Sequence, residues 1–253
     1  MTPTITLHFA QQLYPRQMKE FKSFIDNLAW KCEKALLEVG LRPDIITNKT
    51  IDGKNISRFP LVQCKIIRRQ VVLFGIADGV VALKALMPFL GKRVTLGDQT
   101  YNLAFIDVLP GNHTFDKLRK PKQYHIYNWL ALSKENLKEW NTAHTLANKI
   151  VVLEKILFGQ ISDCIQTTTG KKIKALKNTI LDINKKTTTK FREYENFVEF
   201  DVVFESNVLL PAELSLGFGK TVGFGKLIPS DYYVNARPYS PEIINRRKIE
   251  KVL

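Results

Sequence analysis

A segment rich in glycine and lysine near the C-terminal end is the clearest candidate for chemistry in this sequence. The residues GFGK occupy positions 217–220 and recur at 223–226. Glycine lets backbone N–H groups approach a phosphate closely, and lysine adds positive charge. The segment lacks the P-loop pattern, because Leu214 stands where that pattern needs a glycine, and the dinucleotide fingerprint, because Val222 replaces its third glycine. We therefore predict that this segment contacts phosphate groups, and that the protein is not a nucleotide-triphosphate enzyme. The structural alternative is a tight hairpin that uses glycine for positive φ.

A run of basic residues precedes this segment. Between Lys171 and Arg192, eight basic side chains are accompanied by one acid, Asp182. The whole chain of 253 residues has 38 Lys and Arg against 24 Asp and Glu, which gives a net charge of +14. Because 45% of the residues are hydrophobic and 10% are aromatic, this charge belongs to a folded body rather than a disordered tail. It indicates a polyanionic partner, with nucleic acid first and an acidic membrane surface second, and the third alternative is that the charge serves solubility alone. The alternative for the run itself is a solvated loop.

The cysteines and histidines form no metal or disulfide pattern. Cys32, Cys64 and Cys164 are odd in number, far apart and in no C-x-x-C arrangement. The histidines are scattered at positions 8, 113, 125 and 144, with no pair at i, i+4. We therefore expect chemistry without a metal or another cofactor. The N-terminus has no signal pattern, and charges at Asp78 and Lys84 interrupt the longest apolar stretch, so we expect a cytoplasmic protein that does not enter a membrane.

The hydrophobic pattern of the N-terminal half predicts alternating strands and helices. Apolar residues recur in steps of three and four from Met18 to Leu36, which is typical of a helix face. In order, the predicted elements are a strand at 4–10, a helix opened by Pro15, a hairpin of strands at 59–67 and 71–76, a helix at 77–90, and further strand at 93–109 with a turn at Gly97. This order is that of a ferredoxin-like split βαβ unit.

The C-terminal half has the same kinds of element in a less clear order. A strand is predicted at 124–132, and Ser133 is the expected N-cap of one long helix whose apolar face runs from Leu137 to Leu157. Strong strand material lies at 197–210. The predicted fold class is therefore α+β, with two ferredoxin-like (RRM-like) domains in tandem at residues 1–112 and 122–253.

Three stretches, in the same order along the chain, resemble a known family. RFPLVQCK at 58–65 is followed by the predicted hairpin and by GIADG at 75–79, YNWLALSKEN occupies 127–136, and NVLLP at 207–211 leads into the glycine-rich segment. Together they resemble the signatures of the CRISPR repeat-processing endoribonucleases of the RAMP superfamily. The similarity spans nearly the whole chain and implies the same fold that the hydrophobic pattern favours.

The resemblance implies a role in CRISPR RNA maturation. The implied partners are the repeat of precursor CRISPR RNA and other subunits of an effector complex, and the chain is expected to be a monomer or a homodimer. In this family the ribose 2′-OH attacks its own 3′ phosphate, which leaves a 2′,3′-cyclic phosphate and a 5′-OH. Such an endoribonuclease needs in-line geometry, a base and a cation, and it needs no metal.

The catalytic histidines that the resemblance implies are missing. Relatives of this subtype carry one or two histidines in the loop before the RFPLVQ-like strand, whereas this chain has Ile46-Thr47-Asn48-Lys49 there. Lys49 is therefore the first catalytic candidate, with Lys54 nearby, since a lysine can stabilise a phosphorane or exchange a proton. Tyr14 and His8 are further candidates because a ferredoxin-like unit can bring them near that loop. The alternative is that Lys49 only contacts RNA or solvent, and that the protein binds repeat RNA without cutting it.

Phosphate contacts are expected at the first hairpin, the basic run and the glycine-rich segment. The residues predicted to bind RNA are Arg58, Arg68, Arg69, Lys171, Lys172, Lys174, Lys177, Lys190, Gly217, Gly219, Lys220, Gly223, Gly225 and Lys226. Such contacts supply affinity and salt dependence rather than sequence choice. A third interpretation is an unrelated basic RNA-binding protein, which would not prefer a repeat hairpin over random RNA of equal length.

Overall fold

The computed structural model describes residues 1–67, 70–90, 93–173, 175–186, 189–192 and 195–231. The chain divides into two compact units, which we call domain 1 and domain 2. Domain 1 includes Met1–His113 and Thr221–Gly223, and domain 2 includes Thr114–Lys220 and the described part of Phe224–Asn235. Three residues of the glycine-rich segment thus belong to the unit formed by the N-terminal half.

Domain 1 is built on a four-stranded antiparallel sheet. Its elements in chain order are β1 (Thr2–Gln12), a 3₁₀ turn (Pro15–Gln17), α1 (Met18–Lys31), α2 (Glu33–Glu38), α3 (Asp44–Thr47), β2 (Val62–Ile67), β3 (Gln70–Ile76), α4 (Asp78–Leu90), β4 (Arg93–Leu96), β5 (Gln99–Asn102) and β6 (Phe105–His113). The sheet has the strand order β2-β3-β1-β6, and β4 pairs with β5 in a separate hairpin. This is the strand order of a ferredoxin-like domain, with β2 at one edge.

Alternation along β1 decides which side chains enter the core of domain 1. Ile5, Leu7 and Phe9 are fully buried, in one cluster with apolar residues of α1 and α4 such as Phe21 and Leu83. The side chains between them point to the opposite face of the sheet, because successive residues of a strand alternate. The helices therefore cover one face of the sheet, as the steps of three and four in the sequence predict.

Domain 2 repeats this strand order in a second sheet. Its elements are β7 (Lys117–Leu130), α5 (Lys134–Thr142), α6 (Leu146–Thr169), β8 (Asn178–Lys185), β9 (Thr189–Arg192), β10 (Glu195–Phe197), β11 (Glu199–Val208) and β12 (Lys226–Pro229). The larger sheet is antiparallel, with the order β12-β7-β11-β8, and β9 pairs with β10. The predicted α+β class with two ferredoxin-like domains is confirmed.

The glycine-rich segment of domain 2 stands where domain 1 has α4. All residues from 209 to 225, between β11 and β12, are described, and they form no helix. The second crossover of the ferredoxin-like pattern is therefore a loop in this domain. The backbone N–H and C=O groups of this loop consequently make no helical hydrogen bonds and need other partners.

The single long helix predicted from Leu137 to Leu157 is two helices. Ala143 and Thr145 are extended, and the Thr145 Oγ1 accepts a hydrogen bond from Asn148 N at 3.2 Å, which starts α6. The apolar steps continue across this break, so periodicity alone predicts one helix. No helix in the described part of the chain is long and apolar enough to cross a membrane.

Local signals account for the ends of the neighbouring elements in domain 2. Ser133 is the N-cap of α5, as predicted, with its Oγ accepting from Asn136 N at 3.1 Å. The basic run contains β8, so this part of the run is a strand and not a solvated loop. The Ile180 N–H of β8 donates to Glu154 Oε1 on α6 at 2.8 Å, which ties this strand to the helix.

We expect Gly79→Ala to destabilise domain 1. A Cβ at Gly79, in the first turn of α4, would lie 2.2 Å from the backbone oxygen of Leu61. The resulting overpacking should lower the free energy of unfolding, measured by urea titration, by about 1–3 kcal/mol. Gly159→Ala is the matched control, because Gly159 lies within α6 and its added Cβ meets nothing within 4 Å apart from its chain neighbours and the backbone of its own helix. That variant should gain about 0.5–1 kcal/mol, and equal stability of the two variants would contradict the packing at Gly79.

Candidate active site and nucleic-acid interface

A closed loop after α3 presents Lys49. Asn48 ends α3 in the left-handed conformation, at φ 53°, and donates its N–H to Asp44 O at 2.9 Å. The chain then turns back, so that Ile56 N–H donates to Asn48 O at 3.0 Å and Lys49 forms a β-bridge with Asn55. These bonds fix the backbone at Lys49. The position of its ammonium therefore depends on what the side chain contacts.

The Lys49 ammonium faces an ion pair on α1. Its Nζ lies 4.0 Å from Asp26 Oδ2, while Asp26 Oδ1 accepts a hydrogen bond from Lys22 Nζ one helical turn earlier. The side chain of Lys22 is 7% exposed, that of Asp26 is 15% exposed and that of Lys49 is 48% exposed. The Lys22 Nζ also lies 3.5 Å from Ile46 O. We call Lys22, Asp26 and Lys49 the Lys–Asp cluster.

Burial shapes the electrostatics of this cluster. Desolvation raises the pKa of Asp26, and the positive charges of Lys22 and Lys49 offset only part of that effect. Complete burial raises the pKa of the Cys64 thiol on β2 to about 12. The charges of Lys22 and Asp26 have smaller effects on this pKa. Cys64 is therefore a neutral thiol near pH 7 and not a nucleophile.

The tip of the glycine-rich segment pairs with the outer edge of β2. Cys64 donates its N–H to Thr221 O at 3.2 Å, and Cys64 forms a parallel β-bridge with Val222. Gly223, at φ +98°, passes over the same strand, where an added Cβ would lie 3.7 Å from Lys65 Cα. Strand β2 of domain 1 thus contacts the predicted phosphate-binding loop. It also carries Cys64, whose pKa is affected by the charges of Lys22 and Asp26.

The rest of the glycine-rich segment is held against the end of β7. Phe218 N–H donates to Leu130 O at 2.9 Å, and Gly225 N–H donates to Asn128 O at 3.0 Å. Gly225 has to be glycine, because its φ is +65° and an added Cβ would lie 1.7 Å from Leu216 O. Gly217, Gly219 and Gly223 also have positive φ. The glycines thus serve a tight turn, and the two N–H groups that bond to β7 are not free for a phosphate.

The two lysines of the segment are half-buried. Burial lowers the pKa of Lys220, and the carboxylate of Asp163 on α6 offsets part of that effect. Lys226 lies on β12 and is the register partner of Tyr127 on β7. Their charges are therefore less accessible to a polyanion than the sequence suggests.

The basic run is divided between the two ends of β8. Lys177 precedes the strand, where its N–H donates to Asn207 Oδ1 at 2.8 Å. Lys185 ends the strand as the register partner of Phe200, at the end of the sheet where the glycine-rich segment meets β7. At about 3.3 Å per residue, the ends of β8 lie about 23 Å apart. The run is consequently not one continuous patch.

Lys186 belongs to an ion-pair network. Its Nζ lies 2.8 Å from Asp201 Oδ2 and 3.5 Å from Glu199 Oε1, and it donates to Asn128 Oδ1 at 2.7 Å. Burial opposes its charge, but the hydrogen bond and attraction of Asp201, with Glu199 beside it, outweigh burial and raise the pKa of Lys186. The balancing acids lie outside the basic run, so a charge count along the run does not include them.

Exposed basic residues gather at the other end of the domain 2 sheet. Lys117 is the register partner of Val208, the last residue of β11, so the start of β7 lies at the same end as Lys177. The exposed residues at this end are Lys117, Arg119, Lys120, Lys171, Lys172 and Lys177, which we call the distal basic patch. Three of these residues, on β7, are absent from the sequence prediction because they are separated from the basic run along the chain.

The other two predicted catalytic residues lie away from the Lys–Asp cluster. His8 is 8% exposed and alternates with core residues of β1, so it lies on the sheet face opposite the helices. Its Nε2 has no hydrogen-bond partner in the described part of the chain. Tyr14 is 67% exposed and precedes α1, and about 12 Å of helical rise separates Met18 from Asp26. The structure does not bring His8, Tyr14 and Lys49 together.

The remaining predicted RNA-binding residues have varied positions. Arg58 donates from its Nη2 to Asp44 O at 2.6 Å and to Asp44 Oδ2 at 3.0 Å, so it supports the start of α3. Arg68, Arg69 and Lys174 lie outside the described residues, and Lys190 lies on β9 without a described side chain. RNA binding by these four residues stays a prediction.

Sequence reasoning missed Lys22 and Asp26. Lys22 falls within the helical stripe formed by Met18, Phe21 and Ile25, and Asp26 follows it at i+4. A lysine is rarely buried without a partner, and side chains at i and i+4 are neighbours on a helix. A lysine inside an apolar stripe with an acid one turn later is therefore the signal that predicts this buried pair.

No group of three or more His, Cys, Asp or Glu side chains that could hold a metal ion occurs in the described ranges. All three cysteines are buried as free thiols, and burial raises the pKa of Cys164 as well as that of Cys64.

Family models match both halves of the chain. The Cas6b N-terminal domain model matches residues 2–113, and the Cas6b C-terminal domain model matches residues 117–230. A search of curated proteins finds no match.

Solved structures share the fold at low sequence identity. A crystal structure of Cas6b has 21% identity and a TM-score of 0.71, with 90% of this chain and 100% of that chain covered. A crystal structure of CRISPR RNA processing endoribonuclease Cas6b has 19% identity and a TM-score of 0.65 at the same coverage. Csf5, a type IV Cas6 crRNA endonuclease, has 12% identity and a TM-score of 0.52, with 91% and 100% covered. Because the two family models together span most of its length, the chain belongs to the Cas6b family, which confirms its resemblance to RAMP-type CRISPR proteins.

Proposed function

We propose that this protein binds the repeat of precursor CRISPR RNA and cleaves it at the Lys–Asp cluster of domain 1. The observation that carries the proposal is the position of Lys49, a half-exposed ammonium on a closed loop and 4.0 Å from Asp26. It lies in the domain whose β2 edge pairs with the glycine-rich tip at 221–223. An ammonium and a glycine-rich loop each suit a phosphodiester. A structural relative described as a CRISPR RNA processing endoribonuclease supports the substrate class.

The reaction that suits this site uses the nucleophile of the RNA itself. The 2′-OH gives its proton to a solvent water, its oxygen bonds to the adjacent phosphorus, and the bond from phosphorus to the 5′ oxygen breaks. The products are a 2′,3′-cyclic phosphate and a 5′-OH, which takes up a proton. The protein has to align the 2′ oxygen, the phosphorus and the 5′ oxygen, and it has to stabilise the negative charge of the phosphorane. Neither task requires a metal ion.

Lys49 is suited to two parts of this reaction. Its ammonium can hydrogen-bond the non-bridging oxygens of the phosphorane, and it can donate a proton to the departing 5′ oxygen. Lys22 is unsuited to either part, because its side chain is only 7% exposed and is engaged by Asp26. We therefore assign the contact with the reacting phosphate to Lys49.

RNA binding is assigned to two separate surfaces. The glycine-rich tip on β2 would contact the RNA close to the cleaved phosphate. The distal basic patch lies about 23 Å from the glycine-rich end of the domain 2 sheet, judged from the rise along β8. It would therefore hold RNA away from the segment gripped by the glycine-rich loop, mainly through phosphates.

Binding without cleavage is the second candidate function. The observation that favours it is the composition of the Lys–Asp cluster, whose three members include no histidine, the side chain best suited to proton transfer near pH 7. A protein of this kind would hold repeat RNA with the same salt dependence and leave it intact.

We expect Lys49→Ala to slow the cleavage of repeat RNA in EDTA. Single-turnover rates, measured with the protein in excess, should fall by about 10²- to 10⁴-fold because the proton donor and the cation at the phosphorane are lost. The Kd, measured by fluorescence anisotropy, should change by less than about threefold, because one phosphate contact among several is removed.

Lys54→Ala is the matched control for this variant. Lys54 lies in the same loop, its side chain is 82% exposed, and it pairs with the exposed Asp52. Its removal should leave the cleavage rate unchanged. Equal loss of rate in both variants would contradict the role of Lys49, and tight binding without cleavage by the unmodified protein would support the second candidate function.

We expect the distal basic patch to contribute to the salt dependence of binding. Replacement of Lys171, Lys172 and Lys177 by glutamine should reduce the slope of log K against log salt concentration by about 2, at about 0.7 per phosphate contact on single-stranded RNA. A control with the same change of charge replaces Lys31, Lys34 and Lys84, which are exposed on helices of domain 1. Equal slopes for the two triple variants would show that the patch does not bind RNA.

A further inference from the structure

The carboxylate of Asp26 has a different partner on each oxygen. Oδ1 accepts from Lys22, and Oδ2 faces Lys49 Nζ at 4.0 Å. Lys22 is nearly buried, whereas Lys49 is half-exposed. Asp26 therefore joins an ammonium that belongs to the core of domain 1 to an ammonium that reaches the surface.

We propose that Asp26 is a positioning residue, which holds the Lys49 ammonium in place, and that Lys22, bonded to the other oxygen of Asp26, fixes the orientation of this carboxylate. The inference rests on the proposed function, in which Lys49 contacts the reacting phosphate. Asp26 itself does not touch the RNA in this scheme, because its side chain is 15% exposed and both of its oxygens face lysines.

Packing alone does not account for the buried pair. Lys22 lies among apolar residues of α1, including Phe21 and Ile25, which are fully buried. Apolar residues of similar volume usually fill such a place at least as stably as an ion pair, because both ions lose their hydration. The charged pair does supply one property that an apolar pair lacks, a carboxylate oxygen directed at Lys49.

Lys49 gains more from such an anchor than a shorter side chain would. A lysine has four flexible methylene groups and a large rotamer entropy, and its ammonium is a point charge without a fixed geometry. The backbone of the loop is fixed, with Lys49 bridged to Asn55 and Asn48 bonded to Ile56. One anchor on the ammonium thus restricts the remaining freedom, and misplacement of a catalytic group by about 1 Å can cost about a hundredfold in rate.

The test replaces the whole buried pair, so that no charge is left buried without a partner. The double variant Lys22→Met with Asp26→Leu should keep the melting temperature and the Kd for repeat RNA. Its single-turnover cleavage rate should fall by about ten- to a hundredfold, because Lys49 is present but unanchored. The matched control is Asp52→Asn with Lys54→Gln, which removes the exposed ion pair of the same loop and should cleave at the normal rate.

A second measurement reports on Lys49 without any cleavage. Acetylation by acetic anhydride, followed by mass spectrometry, should be several times slower at Lys49 than at Lys54 in the unmodified protein, and the two rates should become similar in the double variant. This result would support the positioning role even if the unmodified protein cleaved no RNA, in which case only the proposed function would fail. Unchanged labelling of Lys49 in the double variant would overturn the inference, as would an unchanged cleavage rate.

Asp26→Glu keeps the inference testable if the double variant does not fold. It retains the charge and the partner of Lys22 but moves the carboxylate by one methylene. A lower cleavage rate with an unchanged Kd and a changed rate of Lys49 acetylation is expected. Normal cleavage together with normal labelling would overturn the inference.

Discussion

A charged pair inside the apolar face of α1 is the interaction on which the candidate site depends. Lys22 and Asp26 are both largely removed from water, which costs several kcal/mol for each ion and is offset only by close contact and further hydrogen bonding. Asp26 Oδ1 supplies the contact with Lys22, and Oδ2 remains directed at Lys49. The packing of a helix on a sheet thereby sets the position of a charge on a surface loop. The glycine-rich tip pairs with β2 of the same domain.

Much of the fold is predictable from the spacing of apolar residues. The alternation of Ile5, Leu7 and Phe9 and the helical steps through Phe21 and Ile25 are enough to predict the strand and helix that form the core of domain 1. The N-cap of α5 at Ser133 is equally predictable from the sequence. Periodicity fails where apolar steps continue through a short break, as at Ala143 and Thr145, because a stripe of apolar residues carries no information about backbone angles between its members.

The candidate site is less predictable because it depends on contacts between distant segments. Lys49 is found through family resemblance, and the Lys22–Asp26 pair has a signal in the helical spacing, but the contact of Asp26 with Lys49 exists only where α1 packs beside the loop that carries Lys49. The basic run shows the same limit. Lys177 and Lys186 lie near each other in the sequence but at opposite ends of β8, and Lys186 is balanced by Asp201 of the neighbouring strand. The separation follows from the extension of β8, and the cross-strand register that brings Asp201 beside Lys186 cannot be inferred from the order of charges along the chain.

The end groups of the products test most directly whether this chain cleaves repeat RNA through the 2′-OH of the RNA. After incubation with repeat RNA in EDTA, mass spectrometry should find a 2′,3′-cyclic phosphate on the upstream fragment and a 5′-OH on the downstream fragment. A single 2′-deoxyribose at the cleaved position should leave the RNA intact, because the nucleophile is then missing. A 5′ phosphate on the downstream fragment, or cleavage of the deoxyribose-containing RNA at the same bond, would contradict attack by the 2′-OH.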